Sequence, residues 1–278
     1  MGFGWGRGSM KRIVVYTCVT NNYDWLLQPL WGSPYVHYIC FTENPQTNVK
    51  GWEMRPLPSV SGLSNGTAAN RYCKFFPWKI LPEHDWSLYI DANIRLMSDP
   101  SPILADMESV GAELAIPTHP QRSDVWQEAE ACKRLNKIPG RDHPVLNDQL
   151  ARYHADGFPS DTGLTENNII FRSGDSARLM PVMEQWWEEL QNGVQRDQLS
   201  LPYVLWSTGT PIHRLPFSAR DTNPYFRIVP HRRDGGLYNY LQARRYHGPM
   251  WGAAFQSLRI ASAIRRRMIN IFRNPGTH

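Results

Sequence analysis

Cysteine is scarce in this chain: Cys18, Cys40, Cys73 and Cys132 are the four in 278 residues, far apart and without a Cys-x-x-Cys spacing. That distribution excludes a zinc ribbon or a dense disulfide framework, and a reducing cytoplasm is its simplest home. No apolar run reaches the roughly eighteen residues that a membrane-spanning helix needs. The first ten residues, MGFGWGRGSM, lack the apolar stretch of a signal peptide and read as an appended or disordered leader before a native start at Met10. Charge is moderate, with 20% charged and 41% hydrophobic residues, a balance that excludes wholesale disorder. The 30 Lys and Arg against 25 Asp and Glu give +5, which favours phosphate-bearing partners. Nucleotide, anionic lipid and nucleic acid all meet that description, but no nucleic-acid-binding motif accompanies the arginines.

What the chain does have is a dense apolar stretch interrupted by an acid, WSLYIDANIRL from Trp86 to Leu96. Trp86, Leu88, Tyr89 and Ile90 suit a short strand buried on both faces of an open, mostly parallel sheet. On continuous strand geometry Asp91 and Asn93 point the same way, with the small Ala92 between them. At the C-terminal end of such a strand the two oxygens can share a divalent cation and the phosphates it bridges. The plainer alternative is that Asp91 and Asn93 cap the strand and start a turn. Upstream, KRIVVYTCVT reads as a first buried strand, followed by the polar loop Asn21, Asn22, Tyr23, Asp24. The end of that strand is where α/β folds seat a nucleotide, which makes Thr17, Asn21 and Tyr23 donor-side candidates, or simply members of a strand and turn.

Further strands are expected over Tyr35–Thr42, Gly51–Leu57 and Glu113–His119, and helices over 67–81, broken near Pro77, and 126–138, where Glu130 should pair with Arg134. His143, Asp148 and Gln149 precede a helix expected to end near Gly157. Glu166, Asn167 and Asn168 stand at the entrance of another core strand, where a carboxylate and two amides suit sugar hydroxyls or form an ordinary turn. Trp186 and Trp187 lie at helical spacing beside Met183 and Leu190, so they read as core before they read as sugar-stacking rings. RDQLSLPYVLW starts a helix at Asp197. The last stretch, 254–273, is a basic amphipathic helix fit to lie on an anionic membrane or to pack on the domain or a partner.

Taken in order, the basic helix ending in a Pro, the Tyr-Ile-Asp-Ala-Asn strand, the following Asp-Pro, EAEACKRLNKI, ENNIIFR and RDQLSLPYVLW resemble the GT-A glycosyltransferases. They resemble most a plant and bacterial hexosyltransferase family formerly classed as a domain of unknown function, across roughly 12–206. The resemblance implies a Rossmann-like GT-A domain over 11–253, a mixed, mostly parallel sheet flanked by helices, followed by the C-terminal helix and tail. It implies transfer of a hexose from a nucleotide sugar, UDP-sugar first, to a glycan or lipid-linked acceptor, in the cytoplasm or at the inner face of the membrane. It places Arg71 and Lys74 against the donor phosphates, where the residues alone also allow a solvated basic face. Asp91, Ala92 and Asn93 would then line the donor site, with Asp91 and Asn93 holding Mn²⁺ or Mg²⁺, and Asp197, with Gln198 and Glu166, would be the active-site set. A looser similarity of YHGPMWG to glycogenin-like retaining enzymes makes His247 the third metal ligand, ahead of His231. The usual metal motif is Asp-x-Asp. Asn93 departs from it, so a domain of the same fold that binds sugar or nucleotide without turnover is the alternative.

Overall fold

The computed structural model describes residues 11–60, 65–174, 176–246 and 248–273, with side chains through 265. The run after Lys11 forms β1 (Ile13–Val19), which pairs in parallel with β2 (Val36–Thr42) on one side and β4 (Trp86–Ile90) on the other. β3 (Glu53–Pro56) extends the sheet parallel to β2. Beyond β4 the direction reverses: β7 (Ile169–Ser173) is antiparallel to β4 and to β6 (Leu114–Pro117), and β8 (His213–Leu215) ends the row parallel to β6. The order β3-β2-β1-β4-β7-β6-β8 is thus mixed, with four of its six pairings parallel. A second, two-stranded antiparallel sheet joins β5 (Ile94–Leu96) to β9 (Phe226–Ile228).

The alternation of side chains along β1 divides the core in two. Val14, Tyr16 and Cys18 join a cluster with α1 (Gly66–Phe75), α4 (Val125–Arg134), α5 (His143–Ala155), α6 (Leu179–Asn192) and α7 (Asp197–Ser207). Ile13 and Val15 join the other, with α3 (Ser101–Ser109), β5 and β9. Every residue of β4 is buried, as a strand covered on both faces requires. The Asn65 side chain accepts a bond from the Ala68 N–H at 3.0 Å and starts α1; Pro77 then breaks it from α2 (Pro77–Ile80). Trp186 is fully buried and stacks on Phe75 with centroids 3.8 Å apart, so it is core.

Four expectations change. Asp91 to Asn93 is not continuous strand: the Ile94 N–H bonds the Asp91 carbonyl at 2.8 Å, closing a turn that carries the chain from β4 into the second sheet. Glu130 pairs with Lys133 at 2.9 Å instead of Arg134, the last residue of α4. The helix near 143 begins at His143, with Pro144 in its first turn, and takes in Asp148 and Gln149. The terminal helix, α9 (Pro249–Arg273), also starts on a proline, ahead of Ala254, after α8 (Leu237–Arg244).

Candidate functional site

The carboxyl ends of β1 and β4 open into a cavity of about 560 Å³, a size suited to a small-molecule ligand. The Asp91–Asn93 turn forms its floor. It is pinned from two sides: the Asp91 N–H bonds the Asn168 carbonyl at 2.9 Å, and the Asn93 carbonyl accepts from Val229 N–H at 2.9 Å. Asn93 Nδ2 donates to the Val229 carbonyl at 2.9 Å, which fixes the amide and leaves Oδ1 without a hydrogen bond among the described residues. The Tyr89 hydroxyl donates to Asp91 Oδ1 at 3.0 Å. Burial pushes the Asp91 carboxyl up, against the pull of Lys74 and Arg71.

Opposite this turn stands a buried ion cluster. Lys74 Nζ on α1 donates to Asp197 Oδ2 at 2.6 Å, and Arg71, one turn earlier, lies 3.6 Å from Oδ1. Burial alone would raise the Asp197 pKa, but Arg71, Lys74 and Arg196 outweigh it and hold the carboxyl well below its usual range. Burial lowers the Lys74 pKa, with Asp197 opposing. A carboxylate held this way is a poor proton acceptor and a fixed anionic point. Its position follows from Arg196, whose guanidinium reaches the fully buried Glu128 at 3.1 Å; Glu128 also bonds Arg122 and the Cys132 thiol.

The third wall comes from the loop after β1 and the segment before α8. Asn21 and Asn22 both have left-handed backbone, φ 54 and 53, a conformation Asn tolerates better than most residues. The Asn21 N–H bonds Glu43 Oε2 at 2.9 Å. Gly66 lets α1 approach: a Cβ there would lie 2.7 Å from Asn21 Nδ2 and 2.9 Å from Thr20 Cβ. His231 Nδ1 meets Asp24 Oδ1 at 2.6 Å, its ring stands edge-on to Tyr23, and Arg233 covers the Tyr23 ring at 4.4 Å. The bond to Asp24 raises the His231 pKa, partly offset by burial. The stabilisation from this latch is full below the ordinary imidazole pKa of about 6.5 and is lost as pH rises through the raised folded value. An NMR titration of His231 should therefore show a midpoint above the ordinary one, returning towards it in Asp24→Asn. Identical midpoints in the two proteins would discard the latch.

Asp91, Asn93, Arg71, Lys74, Asn21, Tyr23, Glu166, Asn167, Asn168, Asp197 and Gln198 all line this one cavity. Two expected donor residues do not. Thr17 points with Ile13 and Val15 to the far core, and the lining begins at Cys18. Ala92, the middle residue of the turn, is buried and absent from the lining. His247 lies outside the described residues. Both Glu166 carboxylate oxygens are occupied, one by Arg220 at 2.6 Å and the other by the Ser218 hydroxyl. Asn167 is committed to Thr165 and the Asp197 carbonyl, whereas the buried Asn168 Oδ1 has no partner among the described residues. Arg196, Lys137, Arg220 and Arg233 join the lining without having been singled out in the sequence. They come from separate segments, and no local spacing marks them. Among the described residues, no three His, Cys, Asp or Glu side chains form a metal cage.

Residues 62–219, from four residues before α1 to four past β8, match the family described as TOD1/MUCI70, glycosyltransferase-like domain. The chain belongs to that family. Among relatives of this TOD1/MUCI70 domain, an Arabidopsis thaliana protein named "Probable hexosyltransferase MUCI70" is 30% identical over 155 residues, 53% of this chain and 26% of that protein. A second from Arabidopsis thaliana, named "Alkaline ceramidase TOD1", is 24% identical over 224 residues, 69% of this chain and 48% of that protein. The chain thus spans less than half the length of either relative. The crystal structure of apo mouse xyloside xylosyltransferase 1 aligns with a TM-score of 0.41 at 10% identity, over 74% of this chain and 84% of that one.

Proposed function

We propose that this TOD1/MUCI70 domain transfers a hexose from a nucleotide sugar, UDP-sugar first, to a glycan or lipid-linked acceptor. The observation that carries the reading is the meeting, in one cavity, of the Asp91–Asn93 turn with the Lys74–Asp197–Arg71 cluster. Anionic diphosphate needs cations, and a sugar needs fixed polar partners; this cavity has both. Its lining is too polar for the hydrocarbon of a ceramide, so the reading follows the hexosyltransferase relative and not the ceramidase.

Asp91 offers one carboxylate and Asn93 one free amide oxygen. Mg²⁺ and Mn²⁺ readily take such a partial set when substrate phosphates and water complete it, so the residues fit an ion shared with the donor and not a preformed cage. A bound divalent ion would supply charge neutralisation to the departing diphosphate. The remaining work falls to the chain itself. Tyr89 fixes the Asp91 carboxylate, and Arg71 and Lys74 set a cationic wall. Asp197, kept ionised, orients sugar hydroxyls and does not abstract a proton. The unpartnered Asn168 Oδ1 accepts from a sugar or acceptor hydroxyl, and Gln198 stands beside Asp197. Asn21, Tyr23 and the latch wall face the nucleotide. The neutral Asn93 favours, as the second reading, a domain that binds the donor without turning it over.

A melting panel of UDP, GDP and CMP nucleotides and their sugars, with and without Mn²⁺, tests the proposal. A ligand at about 100 times its Kd should stabilise the fold by about 2.7 kcal/mol. A Mn²⁺-dependent rise with one nucleotide class is expected, accompanied by release of that nucleotide when acceptor is present. A rise without release supports the second reading, and no rise with any nucleotide removes both.

A further inference from the structure

All 25 acidic residues of the chain lie before residue 235, alongside 23 of its 30 Lys and Arg. The first 234 residues therefore carry −2, and the last 44 carry +7 from seven arginines with no acid among them. This asymmetry falls on α8, α9 and the residues after α9. Among the described residues none of Arg244, Arg245, Arg259 and Arg265 pairs with a carboxylate; Arg244 and Arg245 lie over aromatic rings instead.

The burial of α9 is equally one-sided. Its inner face carries the buried Phe255 and the half-buried Trp251, Leu258 and Ser262, and its neighbour in the fold is α8. At 100° per residue, Met250, Ile260 and Ile264 fall in one sector on the side away from Phe255. They are 76%, 58% and 51% exposed. Leu237, at the start of α8, is 63% exposed. A long helix that turns its apolar stripe outward, flanked by unpaired arginines, has the character of an element that lies in a lipid interface.

We propose that α9 docks the protein on an anionic lipid surface, its Met250–Ile260–Ile264 stripe entering the acyl boundary and its arginines meeting the headgroups. Charge complementarity selects this occupant over a second copy of the chain, because two such faces would bring +7 against +7. Placement adds a consequence. His231 and Arg233 line the cavity and lead within a few residues into α8, against which α9 packs. Docking would therefore hold this wall of the cavity close to the membrane, where a lipid-linked acceptor would be presented. The docking itself does not depend on the transfer reading, and its test uses no nucleotide.

Flotation of the full chain with vesicles of phosphatidylcholine alone, or of equimolar phosphatidylcholine and phosphatidylglycerol, tests the proposal. At least about tenfold more protein should float with the anionic vesicles, and roughly 1 M salt should release it by shortening the screening length. Ile260→Asp with Ile264→Asp, and separately Arg259→Glu with Arg265→Glu, should each lower binding at least about tenfold; all four side chains are exposed, so the melting temperature should hold. Equal binding to both vesicle types, no binding to either, or unchanged binding of both variants would overturn the proposal. So would light scattering that shows a dimer dissociated by the Ile variants, with no flotation, since the stripe would then belong to a second copy.

Discussion

Lys74→Met is expected to destabilise the protein by about 3 kcal/mol, with a fall in Tm of roughly 5 °C for a chain of this length. The substitution leaves Asp197 buried without its 2.6 Å partner, and an uncompensated buried charge is among the costliest single defects. The lower end of the usual range applies because Arg71 and Arg196 still face the carboxylate. The double variant Lys74→Met with Asp197→Leu should recover most of the stability, since both charges are then gone, but none of the donor binding. The pair also sets an acid limit. A carboxyl whose folded pKa is lowered contributes stability in full above its unfolded pKa of about 3.9 and loses it as pH falls below that, towards the folded value. Urea melts of the three proteins near neutral pH and in acid measure both effects. If the single variant melts like wild type, or the double variant stays as unstable as the single, the buried pair is not what holds this part of the fold.

Asp91→Asn should lower metal-dependent donor turnover at least about a hundredfold while leaving the unliganded protein as stable as wild type or more so. The two halves of this prediction have one cause. Burial raises the Asp91 pKa, although Lys74 and Arg71 pull it down. A carboxyl raised in this way contributes stability below its unfolded pKa and loses it as pH rises through the folded value, so at neutral pH the ionised form is a cost. An amide of the same shape removes that cost and can still accept the bond from Tyr89. It also removes the negative charge that a cation requires. Nucleotide release assays with Mn²⁺, beside melts without ligand, separate the outcomes. Retained turnover would take Asp91 out of the reaction; lost turnover with a lower Tm would make Asp91 a structural residue. A residue held at a site where it weakens the fold is most simply explained by its ligand.

Most strands of the larger sheet and most helices were legible because they are written in local terms, whereas the three-residue β5, β8 and β9 are too short to show a period. β1, β2 and β4 announce themselves as short apolar runs rich in Val, Ile and aromatics, and the helix break at Pro77 follows from one residue. Trp186 belongs to the core because its spacing matches that of Met183 and Leu190. The Asp91–Asn93 segment shows the limit of such reasoning. Alternation placed both side chains on one face of a strand, and they do reach one cavity, but through a turn fixed by hydrogen bonds to Asn168 and Val229, which are far away in sequence.

By itself, then, the sequence determined the α/β class, the order of the main strands and helices as far as α7, the identity of the residues at the strand ends and the uneven distribution of charge along the chain; β5, β8, β9 and α8 were not among its expectations. Only the tertiary structure decided that β7 runs antiparallel between β4 and β6, that Asp197 is answered by Lys74 and Arg71, that Glu128 holds Arg196, and that His231 reaches back to Asp24. It also decided that Thr17 faces the core and that Glu166 is already engaged by Arg220 and Ser218. The physical reason is range. Hydrophobic periodicity and proline geometry act within a few residues, whereas buried ion pairs and cavity walls join groups separated by 123 and 207 positions in the chain. Such contacts depend on where the sheet delivers each segment, and one sequence leaves no local mark of that.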